Sequence, residues 1–154
     1  MSTALFAGID AGSSATKCVV IDNGGVLVGK SVASSGFSYE DAAQTVLSEA
    51  LAEAGGTLAD IEACISTGYG REWVPFATRK LTEITCHARG AREWYPQVRN
   101  IIDIGGQDTK VIRLDSTGQI SDYRMNAKCA AGTGTFLESI AVKLGMTLGE
   151  LDEL

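Results

Sequence analysis

The sequence predicts an α/β fold of two lobes, each opening with a three-stranded antiparallel meander and continuing into a helix. Two observations support this prediction. Apolar runs with strand spacing alternate along the chain with apolar positions at helical spacing. A glycine turn between two strands occurs early in the chain, and the same pattern restarts near Asn100. We therefore assign residues 1–99 to a first lobe and residues 100–154 to the start of a second, incomplete lobe.

The first lobe begins with three predicted strands. Residues 5–9 form a central strand that delivers Asp10 to its end, and residues 16–21 form the hairpin partner of that strand. The turn at residues 23–25, of sequence NGG, leads into a third strand at residues 26–32. These segments make up the first meander.

A helix and a buried strand follow the first meander. Ser38 is the predicted N-cap residue, and apolar residues then recur with helical spacing until Gly55. Residues 61–66 form a short strand, and the loop at residues 67–71 (TGYGR) follows its carboxyl end, where α/β sheets hold ligands. Residues 81–94 form the next predicted helix.

The second lobe repeats the meander. A strand from Ile101 leads into a Gly-Gly turn, and further strands are predicted at residues 111–114 and 120–125. A helix follows, with apolar residues between positions 136 and 144 along one side, and Thr147 is the predicted cap of another.

The motif D-x-G-x-x-x-T-K occurs twice, at residues 10–17 and 103–110, and the offset between the two copies is 103 − 10 = 93 residues. Backbone N–H groups of a tight glycine turn can surround phosphate oxygens, and aspartate carboxylates suit Mg²⁺. A single such turn is more often structural, but two copies in register predict a site for nucleotide phosphates. The sequence contains no G-x-x-x-x-G-K-[ST], which excludes a P-loop.

The four cysteines form no C-x-x-C pair, which argues against a zinc ribbon. Cys18 and Cys64 lie inside apolar runs and are expected to be buried. Cys86 lies on a predicted helix beside the only histidine, His87, which we expect to pack against its neighbours and not to catalyse. Cys129 precedes a helix N-terminus in a glycine-rich stretch, a setting that favours a thiolate.

Composition excludes several classes of protein. Hydrophobic residues make up 45% of the 154 residues and charged residues 21%, as in globular proteins. The formal net charge of −6 argues against a nucleic-acid partner, which requires basic patches. The apolar runs are too short to span a membrane, and the first residues (MSTA) show no pattern of a secretory signal. We expect a cytoplasmic protein with no nucleic-acid or membrane partner.

These motifs together resemble a known family. The paired turns look like the phosphate-1 and phosphate-2 elements of the actin, sugar-kinase and heat-shock chaperone superfamily. DIGGQDTK (residues 103–110) and NAKCAAGTG (residues 126–134) resemble more closely the ATP-dependent activators of 2-hydroxyacyl-CoA dehydratases and the ATPase subunits of benzoyl-CoA reductases. TGYGR at residues 67–71 and CHA at residues 86–88 also match that family.

The resemblance covers essentially the whole chain and implies a ribonuclease-H-like ATPase fold. It also implies a homodimer in which ATP hydrolysis drives an electron from a shared [4Fe–4S] cluster to a dehydratase or reductase, with ferredoxin or flavodoxin as the electron donor. Cys129 matches the first cluster ligand of the family. The family's second cysteine ligand and its adenosine-binding motif match no part of this sequence, so the second lobe is expected to be truncated.

Roles for individual residues follow from the motifs and the resemblance. We expect Asp10, Asp103 and Gln107 to be catalytic: Asp10 contacts Mg²⁺ through water, Asp103 orients a metal ion or the attacking water, and Gln107 lies near the γ-phosphate. The expected nucleotide-binding residues are the glycines, hydroxyls, lysines and polar side chains of both motifs: Gly12, Ser13, Ser14, Thr16, Lys17, Gly105, Gly106, Gln107, Asp108 and Lys110.

Some alternatives stay open. Lys17 and Lys110 are equally well explained as residues that flank their strands. At the level of function, a small-molecule kinase of the same superfamily and an inactive folded fragment are the other candidates.

Overall fold

The computed structural model describes residues 4–126 and 132–154. The chain divides into two compact units, residues 1–86 and 87–154, which are described separately below. The strands are β1 (Leu5–Ala11), β2 (Ala15–Asp22), β3 (Leu27–Ser34), β4 (Ile61–Thr67), β5 (Arg79–Lys80), β6 (Asn100–Ile104), β7 (Thr109–Leu114) and β8 (Ile120–Asn126). The α-helices are α1 (Tyr39–Ala54), α2 (Glu83–Trp94), α3 (Gly134–Leu144) and α4 (Leu148–Asp152), and single 3₁₀ turns occur at Leu58–Asp60 and Arg71–Trp73.

The first unit is built on a five-stranded sheet in the order β3-β2-β1-β4-β5. Strands β1, β2 and β3 are antiparallel, which confirms the predicted meander. Strand β4 returns through α1 and lies parallel to β1 on its other side, and the two-residue strand β5 extends the sheet. Such a crossover through a helix is typical of an α/β fold.

Helix α1 covers one face of this sheet. Its buried residues are small or aliphatic and pack with the alternating buried residues of β1 and β2, among which Ile9 and Val20 have at most 1% of their surface exposed. The hydroxyl of Ser38 accepts a hydrogen bond from the Asp41 N–H at the start of α1, and Gly55 ends the helix in the left-handed conformation (φ 67°). Both predicted helix ends are confirmed.

Several strands extend one or two residues beyond their predicted bounds, and two elements begin later than predicted. The predicted helix at residues 81–94 begins only at Glu83, because the Leu81 N–H donates to Ser66 O (2.9 Å) and is therefore engaged by the sheet. Thr82 starts the helix instead, since its Oγ1 accepts from the Thr85 N–H (3.3 Å). The third strand begins at Leu27 and not at residue 26.

The second unit contains the antiparallel sheet β6-β7-β8, which confirms the second predicted meander. Along β7 the residues Lys110, Ile112 and Leu114 are buried, whereas the residues between them are exposed. Helix α4 starts with the predicted cap: Thr147 Oγ1 accepts from the Glu150 N–H, and hydrogen bonds from the Thr147 backbone and hydroxyl lower the pKa of Glu150.

The predicted lobe boundary between residues 99 and 100 stays a prediction. Within residues 4–126 and 132–154, no helix is long and apolar enough to cross a membrane.

Strand β3 approaches α1 so closely that only a glycine fits at position 29, where an added Cβ would lie 2.0 Å from Ala50 O. We expect Gly29→Ala to lower the free energy of unfolding by about 3 kcal/mol or more, because backbone must move to relieve the overlap. Urea unfolding followed by far-UV circular dichroism measures this loss. Gly90→Ala is the control, since a Cβ at that helical position has no neighbour within 4 Å and should leave stability unchanged or slightly raised. Equal stability of the two variants would contradict the prediction.

Candidate functional site

The first D-x-G hairpin joins β1 and β2. Asp10 lies directly opposite Lys17 in the sheet register, and the Lys17 Nζ is 3.2 Å from Asp10 Oδ2. Both side chains are about half-exposed, at 45% for the lysine and 40% for the aspartate. An added Cβ on Gly12 would lie 2.8 Å from Ala15 O, so the closing of the turn requires this glycine.

The hydroxyl of Thr16 forms a hydrogen bond within the protein. Thr16 is fully buried, and its Oγ1 lies 2.9 Å from Ser35 Oγ. The Ser35 hydroxyl in turn donates to Gly12 O (2.5 Å), and the Ser35 N–H donates to Ser14 O (3.1 Å). Thr16 and Ser35 therefore support the turn from behind. Ser35 was not identified from the sequence, because no motif marks it.

The second D-x-G hairpin joins β6 and β7 with the same register. Asp103 lies opposite Lys110, as Asp10 lies opposite Lys17, so the 93-residue sequence repeat is also a structural repeat. The Gly105 N–H closes the turn by donating to Asp108 O (2.8 Å), and an added Cβ on Gly105 would lie 2.8 Å from Asp108 Oδ1.

The two hairpins differ in the burial of their lysines. The Lys110 side chain is only 5% exposed, and its Nζ lies 3.4 Å from Asp103 Oδ2 and 2.5 Å from Asp108 Oδ1. Lys110 therefore carries a charge that is held by two carboxylates within the protein. Gln107, at the tip of the turn, is exposed. The proposed contacts of these residues with nucleotide stay predictions.

The first turn of α3 is attached to the second hairpin. The N–H groups of Gly134 and Thr135 donate to Gly105 O and Gly106 O, each at 3.0 Å, and the Thr135 hydroxyl also donates to Gly106 O. The Thr109 hydroxyl donates to Gly132 O (3.0 Å) on the other side of the same junction. The glycine turn thus binds the beginning of α3 through its own carbonyl groups.

His87 contacts the second hairpin, contrary to the expectation that it only packs against its neighbours. Its Nε2 lies 3.3 Å from Asp103 Oδ2, and its side chain remains 42% exposed. No sequence signal pointed to this contact, because it joins a helix to a strand that follows later in the chain.

The TGYGR loop after β4 packs on the first hairpin. Gly68 has φ +86°, and an added Cβ there would lie 2.4 Å from Asp10 Oδ1. The Gly70 N–H donates to Ala11 O (2.8 Å), and an added Cβ on Gly70 would overlap the ring of Tyr39. The Tyr39 ring in turn stacks on Trp73, with ring centroids 5.7 Å apart. The loop therefore limits the space around one side of the Asp10 carboxylate.

The Arg71 guanidinium of this loop contacts other groups of the protein. Its Nη1 donates to Gly68 O (3.0 Å), and its Nε lies 3.7 Å from Glu72 Oε1. Thr67 Oγ1 is buried and has no hydrogen-bond partner in the part of the chain that the structure describes.

The cysteines differ in their suitability as metal ligands. Burial raises the pKa of Cys18 to about 12 and that of Cys64 to about 11, which disfavours the thiolate that a ligand requires. Cys86 lies half-buried on α2, and Cys129 lies outside the described residues. Among residues 4–126 and 132–154, no group of three or more His, Cys, Asp or Glu side chains could hold a metal ion.

The sheet order and the pair of glycine hairpins define a mixed α/β fold of the actin-like ATPase class. The crystal structure of (R)-2-hydroxyglutaryl-CoA dehydratase component A from Acidaminococcus fermentans matches with a TM-score of 0.90 and 38% sequence identity, covering 98% of this chain and 58% of that one. The activator of 2-hydroxyisocaproyl-CoA dehydratase from Clostridium difficile, solved with bound ADPNP, matches with a TM-score of 0.89 and 40% identity, covering 96% of this chain and 55% of that one.

The chain belongs to the BadF/BadG/BcrA/BcrD ATPase family, whose profile matches residues 7–154. Among its relatives, the activator of lactoyl-CoA dehydratase from Anaerotignum propionicum is 44% identical over 147 residues, which make up 96% of this chain and 56% of the relative. The family and the fold inferred from the sequence are therefore confirmed. The chain spans a little more than half the length of these relatives.

The different burial of the two lysines leads to a prediction for stability. We expect Lys110→Met to lower the free energy of unfolding by about 3 kcal/mol, because it leaves two carboxylates close together without their buried partner. The matched variant Lys17→Met removes a half-exposed pair and should cost about 1 kcal/mol or less. Urea unfolding of both variants measures the difference. Equal losses would show that the two hairpins do not differ electrostatically in this way.

Proposed function

We propose that this chain is the phosphate-binding part of an ATP-hydrolysing activator that drives low-potential electron transfer to a 2-hydroxyacyl-CoA dehydratase or a benzoyl-CoA reductase-type enzyme. Membership of an ATPase family supports the ATPase part of the proposal. The relatives named as dehydratase activators support the choice of partner, and the relative solved with ADPNP supports nucleotide as the ligand.

One observation carries the link between nucleotide and electron transfer. The carbonyl groups of Gly105 and Gly106, in the predicted phosphate-binding turn, accept the N–H groups that begin α3. The segment that leads into α3 is the glycine-rich motif that includes Cys129. A change in this turn on loss of the γ-phosphate would therefore be passed directly to the end of the cysteine-containing segment.

ATP hydrolysis by this site requires no covalent intermediate with the protein. Water attacks the γ-phosphorus, the bond to the bridging oxygen breaks, and ADP and inorganic phosphate leave. Asp10 would hold Mg²⁺ through its water ligands, and Asp103 would orient the attacking water. Backbone N–H groups of the two turns other than that of Gly105, which closes its own turn, would stabilise the charge on the phosphate oxygens together with the side chain of Gln107.

The proposal assigns Cys129 as the ligand that this chain contributes to a cluster shared across a homodimer. The raised pKa values of Cys18 and Cys64 make these two buried thiols poor candidates for that role. When bound, a [4Fe–4S] cluster would supply one-electron transfer at low potential. A ferredoxin or flavodoxin as electron donor belongs to the same proposal.

Nucleotide binding gives the first test. Calorimetric titration with Mg²⁺ and ADPNP should show binding to the wild-type chain and at least tenfold weaker binding to Asp10→Asn, because this substitution removes the carboxylate charge that would hold the hydrated Mg²⁺. Asp122→Asn is the control, since Asp122 is an exposed acid on β8 and should have no effect. Wild-type affinity in Asp10→Asn would refute the proposed site.

Iron binding gives the second test. Anaerobic reconstitution with iron and sulfide should yield about two irons per chain, as expected for one four-iron cluster shared by two chains. Cys129→Ala should abolish this incorporation, whereas the control Cys86→Ala should retain it. Iron that persists in Cys129→Ala would exclude Cys129 as the ligand.

A further inference from the structure

Within the described residues, side chains contact only one of the two oxygens of the Asp103 carboxylate. Oδ2 lies 3.3 Å from His87 Nε2 and 3.4 Å from Lys110 Nζ. Within the described residues, Oδ1 has no hydrogen-bond partner. Contacts to a single oxygen fix the rotation of a carboxylate and leave its second oxygen able to accept a proton or a hydrogen bond from another molecule.

The corresponding acid in the first hairpin lacks such a contact from a histidine. Among the described residues, Asp10 forms an ion pair with the half-exposed Lys17 alone, at 3.2 Å, and its other oxygen packs against Gly68. His87 is the only histidine in the chain, so the first copy of the repeated motif has no equivalent histidine. The second acid is therefore the one whose orientation is controlled by an additional side chain.

Helix α2 holds the imidazole in place. Ala88, the next residue, is buried, and the Arg92 Nη1 on the same helix donates to Gly118 O (3.4 Å) in the turn before β8. This part of the helix is thus attached at two points, at Asp103 through His87 and at Gly118 through Arg92. An attachment of this kind limits the positions that the imidazole can take relative to Asp103.

We propose that His87 is a positioning residue, which holds the Asp103 carboxylate in the orientation in which Oδ1 receives the attacking water. An acid that orients a water molecule must keep a fixed direction, since a misplaced water does not attack in line with the leaving group. The role of the carboxylate rests on the proposed ATPase function, whereas the contact between the two side chains does not.

The contact can be tested without nucleotide. Because His87 is the only histidine, the imidazole nitrogens of the chain give one set of signals in ¹⁵N NMR spectra. At fixed pH, Asp103→Asn should shift these signals and change the tautomer ratio, whereas the control Arg89→Gln, an exposed cation on the same helix, should leave them unchanged. Identical ring signals in wild type and Asp103→Asn would overturn the proposal.

The positioning role is tested by steady-state ATP hydrolysis. His87→Leu should lower kcat roughly ten- to hundredfold, the loss typical of a contact to a charged group, with KM within about twofold of wild type. His87→Gln should restore most of kcat, because its amide nitrogen can reach the same oxygen. Wild-type kcat in His87→Leu, or no restoration by glutamine, would overturn the role. If wild type hydrolyses no ATP, the proposed function fails and the positioning role fails with it, while the ring signals still decide the contact.

Discussion

A glycine turn that closes tightly between two paired strands leaves no space for a side chain at its first position. An added Cβ would lie 2.8 Å from the backbone oxygen of Ala15 at Gly12, and 2.8 Å from the Asp108 carboxylate and 3.2 Å from the Asp108 backbone oxygen at Gly105. This closure keeps the strands in the register that sets an aspartate opposite a lysine. In the second unit it also directs the turn carbonyls toward the first residues of α3. The acids, the lysines and the helix attachment therefore all depend on the absence of a Cβ at one position in each turn.

The two hairpins have the same register but different electrostatic surroundings. Lys110 is buried between two carboxylates, so its charge is compensated and its position is fixed by contacts within the protein. Lys17 has a single partner among the described residues and is half-exposed, so water already competes for its ammonium group. The first hairpin can therefore change partners at low cost in free energy, whereas the second provides a preset arrangement. The two copies of the repeat thus differ: the lysine of the first hairpin can change its partner, whereas the lysine of the second is held in place.

The meanders, the helices and the repeat could be predicted because they depend on local chemistry: strand alternation, NGG and Gly-Gly turns, and caps such as Ser38. The start of α2 could not, because the Leu81 N–H is engaged by a hydrogen bond to Ser66 in strand β4. The contact of His87 with Asp103 and the burial of Lys110 were also missed. Each depends on how a helix and a sheet pack in three dimensions, and the residue types alone gave no indication of it.

The stacking of Trp73 on Tyr39 gives the first unit an intrinsic optical reporter. Gly70 packs on the Tyr39 ring, and Gly68 in the same loop packs on Asp10, so displacement of that acid would be transmitted to the aromatic pair. Indole fluorescence responds to the stacking partner and to contact with water. The other tryptophan, Trp94, is 82% exposed and should contribute a constant, water-quenched background. Changes in emission from this chain would therefore report on the surroundings of one carboxylate without any attached label.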